Sequence, residues 1–326
     1  MFISIFKSNR PAVLILLPFV ASAMWVFAFI SPVPMVVENT MPLYGLLARL
    51  LGEQSFAANS FAVLLLVVQS IILNNIVSKN MILNRDNFLP SLLYLVIMSS
   101  CPSLLTLHPV LFANLFLIIA VSRILKIYRQ ESIFSNVFDA GFLIGIASLF
   151  YFPAVLLFPF IWVAIIILRP FAWREWIIPL TGLAVPYFFV GVYYFWLDGL
   201  AQFWHECIVV PIVDKSYHIV LNKSYYYLIG ISLIILFLSF RDISKGMNTN
   251  AVRAKKFLGV LVWLFIFSLL SVLAAPSYSI NYFALTAIPV SVFITGYFLS
   301  AKSRLWPELI FLLLIGAVIY VQVKNM

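Results

Sequence analysis

The sequence predicts an all-α, polytopic membrane protein of about eleven transmembrane helices, with the N-terminus in the cytoplasm and two amphipathic helices on the outer face. Three observations predict it. The 326 residues are 64% hydrophobic and only 10% charged, and a soluble exterior needs far more charge than that. Apolar runs of about 18 residues or more, the length that crosses a bilayer, recur from end to end. The basic residues gather in short clusters between those runs. The net charge of +9 therefore reads as loop anchoring and not as a nucleic-acid surface.

The apolar segments are 11–30, 56–77, 88–106, 109–125, 137–151, 153–168, 176–197, 225–240, 257–275, 282–300 and 307–323. The opening MFISIFKSNR has the charge of a signal-peptide n-region. The run behind it lacks an A-x-A-like site, so it reads as a retained first helix. With the N-terminus inside, sixteen of the twenty Lys and Arg fall on the cytoplasmic side; Arg49, Lys215, Lys223 and Lys324 fall outside. That is a strong positive-inside asymmetry. The stretch 137–168 has basic clusters at both ends, so it crosses twice. Each of its two helices, about 15 residues long, reaches only about 22 Å of a core about 30 Å thick. The pair is therefore short, bent at Pro153 or partly re-entrant. No stretch is polar enough for a separate soluble domain, and residues 1–326 read as one membrane domain.

The polar chemistry gathers outside. All three histidines and both cysteines fall there, and two outer segments, 31–55 and 198–224, exceed turn length. In the first, Leu43, Leu46, Leu47, Leu50 and Leu51 recur on one helical face, behind Pro42 at the first turn. Arg49 and Glu53 lie opposite, four residues apart. That is a helix lying in the interface, with Glu38 standing just before it. Glu38 is either a catalytic carboxylate or a solvated loop acid.

In the second segment, Leu200, Phe203, Trp204, Cys207 and Ile208 repeat the pattern, ended by Pro211. His205 and Glu206 face the other way. They are candidates for holding a phosphate-linked headgroup or a metal, but adjacent side chains point about 100° apart, as on any wetted helix face. His108 is the ionisable group of the second outer loop. Asp139 lies near the cytoplasmic edge of the short pair, either functional or a helix cap. Asn74, Asn75 and Asn114 fit helix-to-helix hydrogen bonding. Cys101 and Cys207 could pair in an oxidising compartment or stay free. No Walker loop, GxGxxG, HExxH, GxSxG or CxxC is present, so no cofactor is called for and a divalent metal is not indicated.

The order of parts resembles the polytopic GT-C glycosyltransferases, such as the protein mannosyltransferases and the aminoarabinose transferase of lipid A. The resemblance rests on Glu38 after the first helix and on MPLYGLLARLLGEQSFAANSFAV from Met41 to Val63. It continues through the glycine-bearing pair DAGFLIGIASLFYFPAVLLFPF from Asp139 to Phe160, and the outer loop 198–224. It covers about residues 11–225, leaving 226–326 as additional C-terminal transmembrane helices. The chain is also similar to a Bacteroidota inner-membrane family.

The GT-C likeness implies a polyprenyl-phosphate sugar donor used on the outer face. It also implies Glu38 as general base and Arg49, His108, His205 and Glu206 as substrate-binding groups. Two departures bear on this: Asn39 follows Glu38 where that family often has a second acid, and the second outer loop, TLHPVLFAN, carries no acid. Three readings stay open: the transferase, a non-catalytic GT-C-like subunit or assembly factor of a cell-envelope complex, and a lipid or solute transporter. The last lacks a polar path through the bilayer.

Overall fold

The structure, a computed structural model, describes residues 2–8, 10–31, 41–51, 55–83, 85–170, 172–205, 209–210, 223–249, 251–274, 280–301 and 305–325. Among them every regular element is helical. The helices, numbered in chain order, are α1 (Phe2–Phe6), α2 (Ala12–Met24), α3 (Val26–Ile30), α4 (Pro42–Leu51) and α5 (Ser55–Lys79). Then come α6 (Leu89–Met98), α7 (Pro109–Lys126), α8 (Phe134–Phe150), α9 (Phe158–Leu168) and α10 (Trp173–Trp196). The series ends with α11 (Leu200–Trp204), α12 (Lys223–Thr249), α13 (Val252–Leu270), α14 (Ala287–Ser300) and α15 (Leu305–Asn325).

Among the described residues, seven helical stretches are long and apolar enough to cross a membrane: 56–79, 109–126, 173–196, 224–241, 252–273, 283–300 and 305–325. The other four expected spans are shorter apolar helices: Ala12–Met24, Leu89–Met98, Phe134–Phe150 and Phe152–Leu168. Eleven full crossings are thus not what the fold presents, and the reason is local. The first run breaks at Trp25, whose N–H bonds back to Ala21 and Ser22. The expected helix 88–106 ends at Met98, and a 3-10 turn over Pro102–Leu104 follows. The 137–168 pair breaks at extended Tyr151 and resumes as a 3-10 turn over Phe152–Leu157, with Pro153 in its first turn. Pro153 has no N–H and fixes its φ, so a helix can start there more readily than pass through.

One buried cluster runs from Ile3 to Val321, so the first and last helices share a core. α6 sits inside it, with nine of its ten residues buried, packed by α5 and α14. Many of the polar groups inside are paired, as a low-dielectric interior favours. Gln69 donates to the Leu111 carbonyl at 2.8 Å and accepts from the Tyr94 hydroxyl at 2.7 Å. Asn114 donates to the Ala284 carbonyl at 3.1 Å, and Gln322 to the Ser99 carbonyl at 2.7 Å. Asp139 pairs with Arg123 at 3.4 Å, tying α8 to α7. Asn74 is buried with its side-chain carbonyl unbonded among the described residues, whereas Asn75 is exposed.

The tightest seam joins α8 to α10. A Cβ placed on Gly141 would collide with the Pro179 carbonyl oxygen, and one on Gly182 with the Phe138 carbonyl oxygen. One on Gly145 would stand 2.9 Å from the Leu183 carbonyl oxygen. Only glycine lets the two backbones approach this closely.

Candidate functional site

The C-terminal ends of α8 and α10 are where the fold gathers chemistry. α4 arrives there with Tyr44 and Ala48 turned into the protein, 1% and 5% exposed, while Leu46 and Leu50 are 50% and 78% exposed. Leu46 and Leu50 thus face away from the protein, whereas Leu43 and Leu47 pack against it. The phenol of Tyr44 donates to the Leu107 carbonyl at 2.7 Å, and burial pushes its pKa up to about 12.

His108, the next residue, is the N-cap of α7. Its Nδ1 accepts the Val110 N–H at 3.2 Å, with Pro109 at the first helical position. Burial pushes its pKa down to about 4. With Nδ1 occupied as an acceptor, the neutral ring carries its proton on Nε2. It offers one donor to a ligand and no positive charge. The Tyr151 ring lies edge-on at 6.3 Å.

A small apolar cluster closes the site on its other side. Met41, Leu149 and Phe203 are buried together, with Leu43, Phe152, Tyr187 and Tyr194 packed on them. Phe203 and Tyr194 have ring centroids 5.1 Å apart, which holds α11 against the end of α10. The Ser148 and Tyr187 hydroxyls share a hydrogen bond of 2.7 Å across the α8–α10 seam. The fold therefore brings α4 and α11, the described helices of segments 31–55 and 198–224, onto the same floor.

The expected site residues divide. His108 belongs to this assembly through Leu107 and Tyr151. Arg49 is on the exposed side of α4, and His205 is exposed directly after α11; neither has a hydrogen bond or ion pair among the described residues. Glu38 and Glu206 lie outside the described residues, as does Cys207, the second half of the suggested disulfide. Cys101 is a buried free thiol, its pKa pushed up to about 11 by burial. Among the described residues no three His, Cys, Asp or Glu side chains gather closely enough to hold a metal ion.

Tyr44, Tyr151 and the Ser148–Tyr187 pair escape sequence reasoning. Only Tyr44 had a signal. It stands four residues before Ala48 on the face the leucines leave free, where a helix meets protein and not lipid.

No curated protein and no solved structure matches the chain. Residues 36–326 match a family of unknown function, DUF6427, and the chain therefore belongs to that family.

Proposed function

We propose that the protein is a membrane glycosyltransferase that moves a sugar from a polyprenyl-phosphate-linked donor to an acceptor hydroxyl at the outer face of the bacterial inner membrane. The observation that supports it most is the meeting of two amphipathic segments, α4 and α11, over the outer ends of α8 and α10. A lipid-linked donor has to reach its site from the bilayer. A floor edged by helices that turn Leu46, Leu50 and Leu200 outward, with tyrosines and a neutral histidine within it, suits such a ligand. The layout likeness to the GT-C enzymes points the same way.

In this reading Glu38 takes the proton of the acceptor hydroxyl as its oxygen bonds to the anomeric carbon. The bond from that carbon to the phosphate oxygen breaks, and the polyprenyl phosphate leaves with the electron pair. His108 supplies a hydrogen bond from Nε2. Arg49 is a partner for phosphate, and His205 and Glu206 are further substrate-binding groups.

The test uses a deletion strain complemented with wild type or Glu38→Gln at matched membrane levels, with mass spectrometry of glycolipids and surface glycoproteins. A sugar lost on deletion and restored by wild type only is the expected result. Equal restoration by both would sink the assignment of Glu38, and an unchanged sugar profile on deletion would sink the activity.

The second reading, a non-catalytic envelope-complex subunit, draws on α10. Its outer half exposes Phe188, Phe189, Tyr193, Phe195 and Trp196, a broad aromatic strip that a partner helix would cover. Cross-linking from Phe189 to another membrane protein, with sugars unchanged on deletion, is the result that would select it.

A further inference from the structure

At the opposite, basic end of the bundle, two adjoining hollows open between the end of α7, the turn after it, the end of α9 and the start of α13. The larger has a volume of about 490 Å³ and includes Tyr128, Arg129, Arg169, Val252 and Lys256 in its wall. The smaller, about 390 Å³, is walled by Tyr128, Arg129, Val252 and Arg253. Both lie where the apolar stretches stop, since the flanking spans end at Lys126 and begin at Val252. That is the level of lipid headgroups.

The charges here are held but not neutralised. The Arg129 guanidinium lies 5.4 Å from the centre of the Tyr128 ring, and the Lys256 ammonium 5.6 Å from the same ring. Lys256 donates to the Leu168 carbonyl at 3.2 Å, and Arg253 to the Asn80 side-chain oxygen at 3.3 Å. All of these partners are neutral. Arg169 is different, because Glu175 pairs with it at 3.2 Å. The one acid in the wall of the larger hollow is Glu131, against Arg129 and Lys256 there and Arg253 beside them. None of these three cations is in an ion pair among the described residues.

Two further features point to an anion. α13 begins behind Ala251, which supplies no side-chain cap, and its first turn holds no acid but Arg253 and Lys255. Cations there oppose the helix dipole, and Ala251 offers the first N–H groups no side-chain acceptor, a combination that a bound anion relieves. Arg129 itself is held at φ 60°, a left-handed conformation that non-glycine residues seldom adopt and that is often kept where a site needs it.

We propose that this groove seats the phosphate of an anionic phospholipid headgroup. Arg129, Arg253 and Lys256 surround the phosphate, Tyr128 holds two of those cations in place, and the uncapped start of α13 adds backbone donors. Basic pockets between transmembrane helices at this level suit such headgroups. The bilayer supplies the ligand at the height of the groove. The inference stands whether or not the protein transfers sugar.

The test is native mass spectrometry of the purified full-length protein in neutral detergent, titrated with phosphatidylglycerol and, separately, phosphatidylcholine. Wild type is expected to retain phosphatidylglycerol preferentially. Each cation near a lipid surface is worth about fivefold in binding, so Arg129→Gln/Arg253→Gln/Lys256→Gln should bind on the order of a hundredfold more weakly. Arg129→Gln alone, at an exposed position, guards against a folding artefact and should lose about fivefold. A control removing Arg10, Lys79 and Arg241, exposed basic-end cations outside the groove, should bind as wild type does.

Three outcomes would overturn the proposal. They are equal loss in the control, no lipid preference in wild type, and inorganic phosphate displacing phosphatidylglycerol at equal concentration, which would give the groove to free phosphate.

Discussion

His108 shows how much one side chain can be asked to do. The sequence marks it as the ionisable group of its loop, and the GT-C likeness implies a substrate contact for it. The fold uses its Nδ1 to cap α7, a role hidden in the sequence because histidine is not among the preferred caps. Burial lowers its pKa from 6.5 to about 4. The unfolded chain therefore takes up a proton at His108 near pH 6.5, while the folded chain resists until about pH 4. Stability from this residue is complete above pH 6.5, falls as the pH drops through that window, and then levels off. The loss should be on the order of 2 kcal/mol, allowing for the partial exposure of the ring. His108→Asn keeps a cap but cannot titrate, so its unfolding midpoint in detergent should lack this decline. If wild type and His108→Asn have parallel profiles from pH 8 to 4, the ring is not buried as described. Tyr44→Phe removes the donor to the Leu107 carbonyl and should cost about 1 kcal/mol by thermal unfolding. A loss of sugar transfer beyond that expected from destabilisation would tie Tyr44 to the site itself.

Elements were easier to read than their surroundings. The leucine spacing of residues 43–51 placed α4 correctly because amphipathic periodicity is a local property. Which face meets protein is not local: Tyr44 and Ala48 are buried only because the loop before α7 and the end of α8 come from distant sequence. The break at Tyr151 was legible through Pro153, and the early end of α6 at Met98 had its own signal in Ser99, Ser100 and Pro102, which reading 88–106 as one run passed over. The Gly141–Gly145 spacing was the available signal for the α8–α10 seam and went unread as a packing motif. Gly141→Ala and Gly182→Ala should each lower the unfolding free energy by about 1–3 kcal/mol, because a backbone carbonyl cannot move aside as a side chain can. Gly191→Ala, with no heavy atom within 4 Å of the added Cβ, should leave stability unchanged. Thermal unfolding of the three variants checks this, and a loss at Gly191 equal to that at Gly141 would refute the close crossing.

At the scale of the molecule, the charge pattern alone separates two ends, one basic and one carrying α4 and α11. Sidedness follows from that asymmetry and has a direct measurement. In a Cys101→Ser/Cys207→Ser background, Trp204→Cys should react with a membrane-impermeant maleimide on intact spheroplasts. Lys79→Cys should react only after permeabilisation. Both positions are exposed, so failure to label reports the membrane barrier and not burial. The reverse pattern would invert the orientation and place the proposed sugar site in the cytoplasm. What charge could not reveal is the closure of the chain on itself. The buried cluster joins residues near both termini, and the contacts that join them, such as Gln322 to Ser99, pair polar groups spaced 223 residues apart.

That closure sets a schedule for biogenesis. α6 leaves the ribosome early, yet α14, which covers one of its sides, and α15, whose Gln322 binds the Ser99 carbonyl, are made last. At ten residues α6 reaches about 15 Å, half of the hydrocarbon thickness. Until the final helices arrive, the nascent protein holds a stub too short to be a stable lone span, with the Ser99 carbonyl beyond its end lacking its Gln322 partner. Insertion therefore cannot proceed as a string of independently settled helices. The early segments must wait in the translocon, in a chaperone's care or in a loosely packed intermediate, and quality control has that interval in which to recognise a chain that stops short.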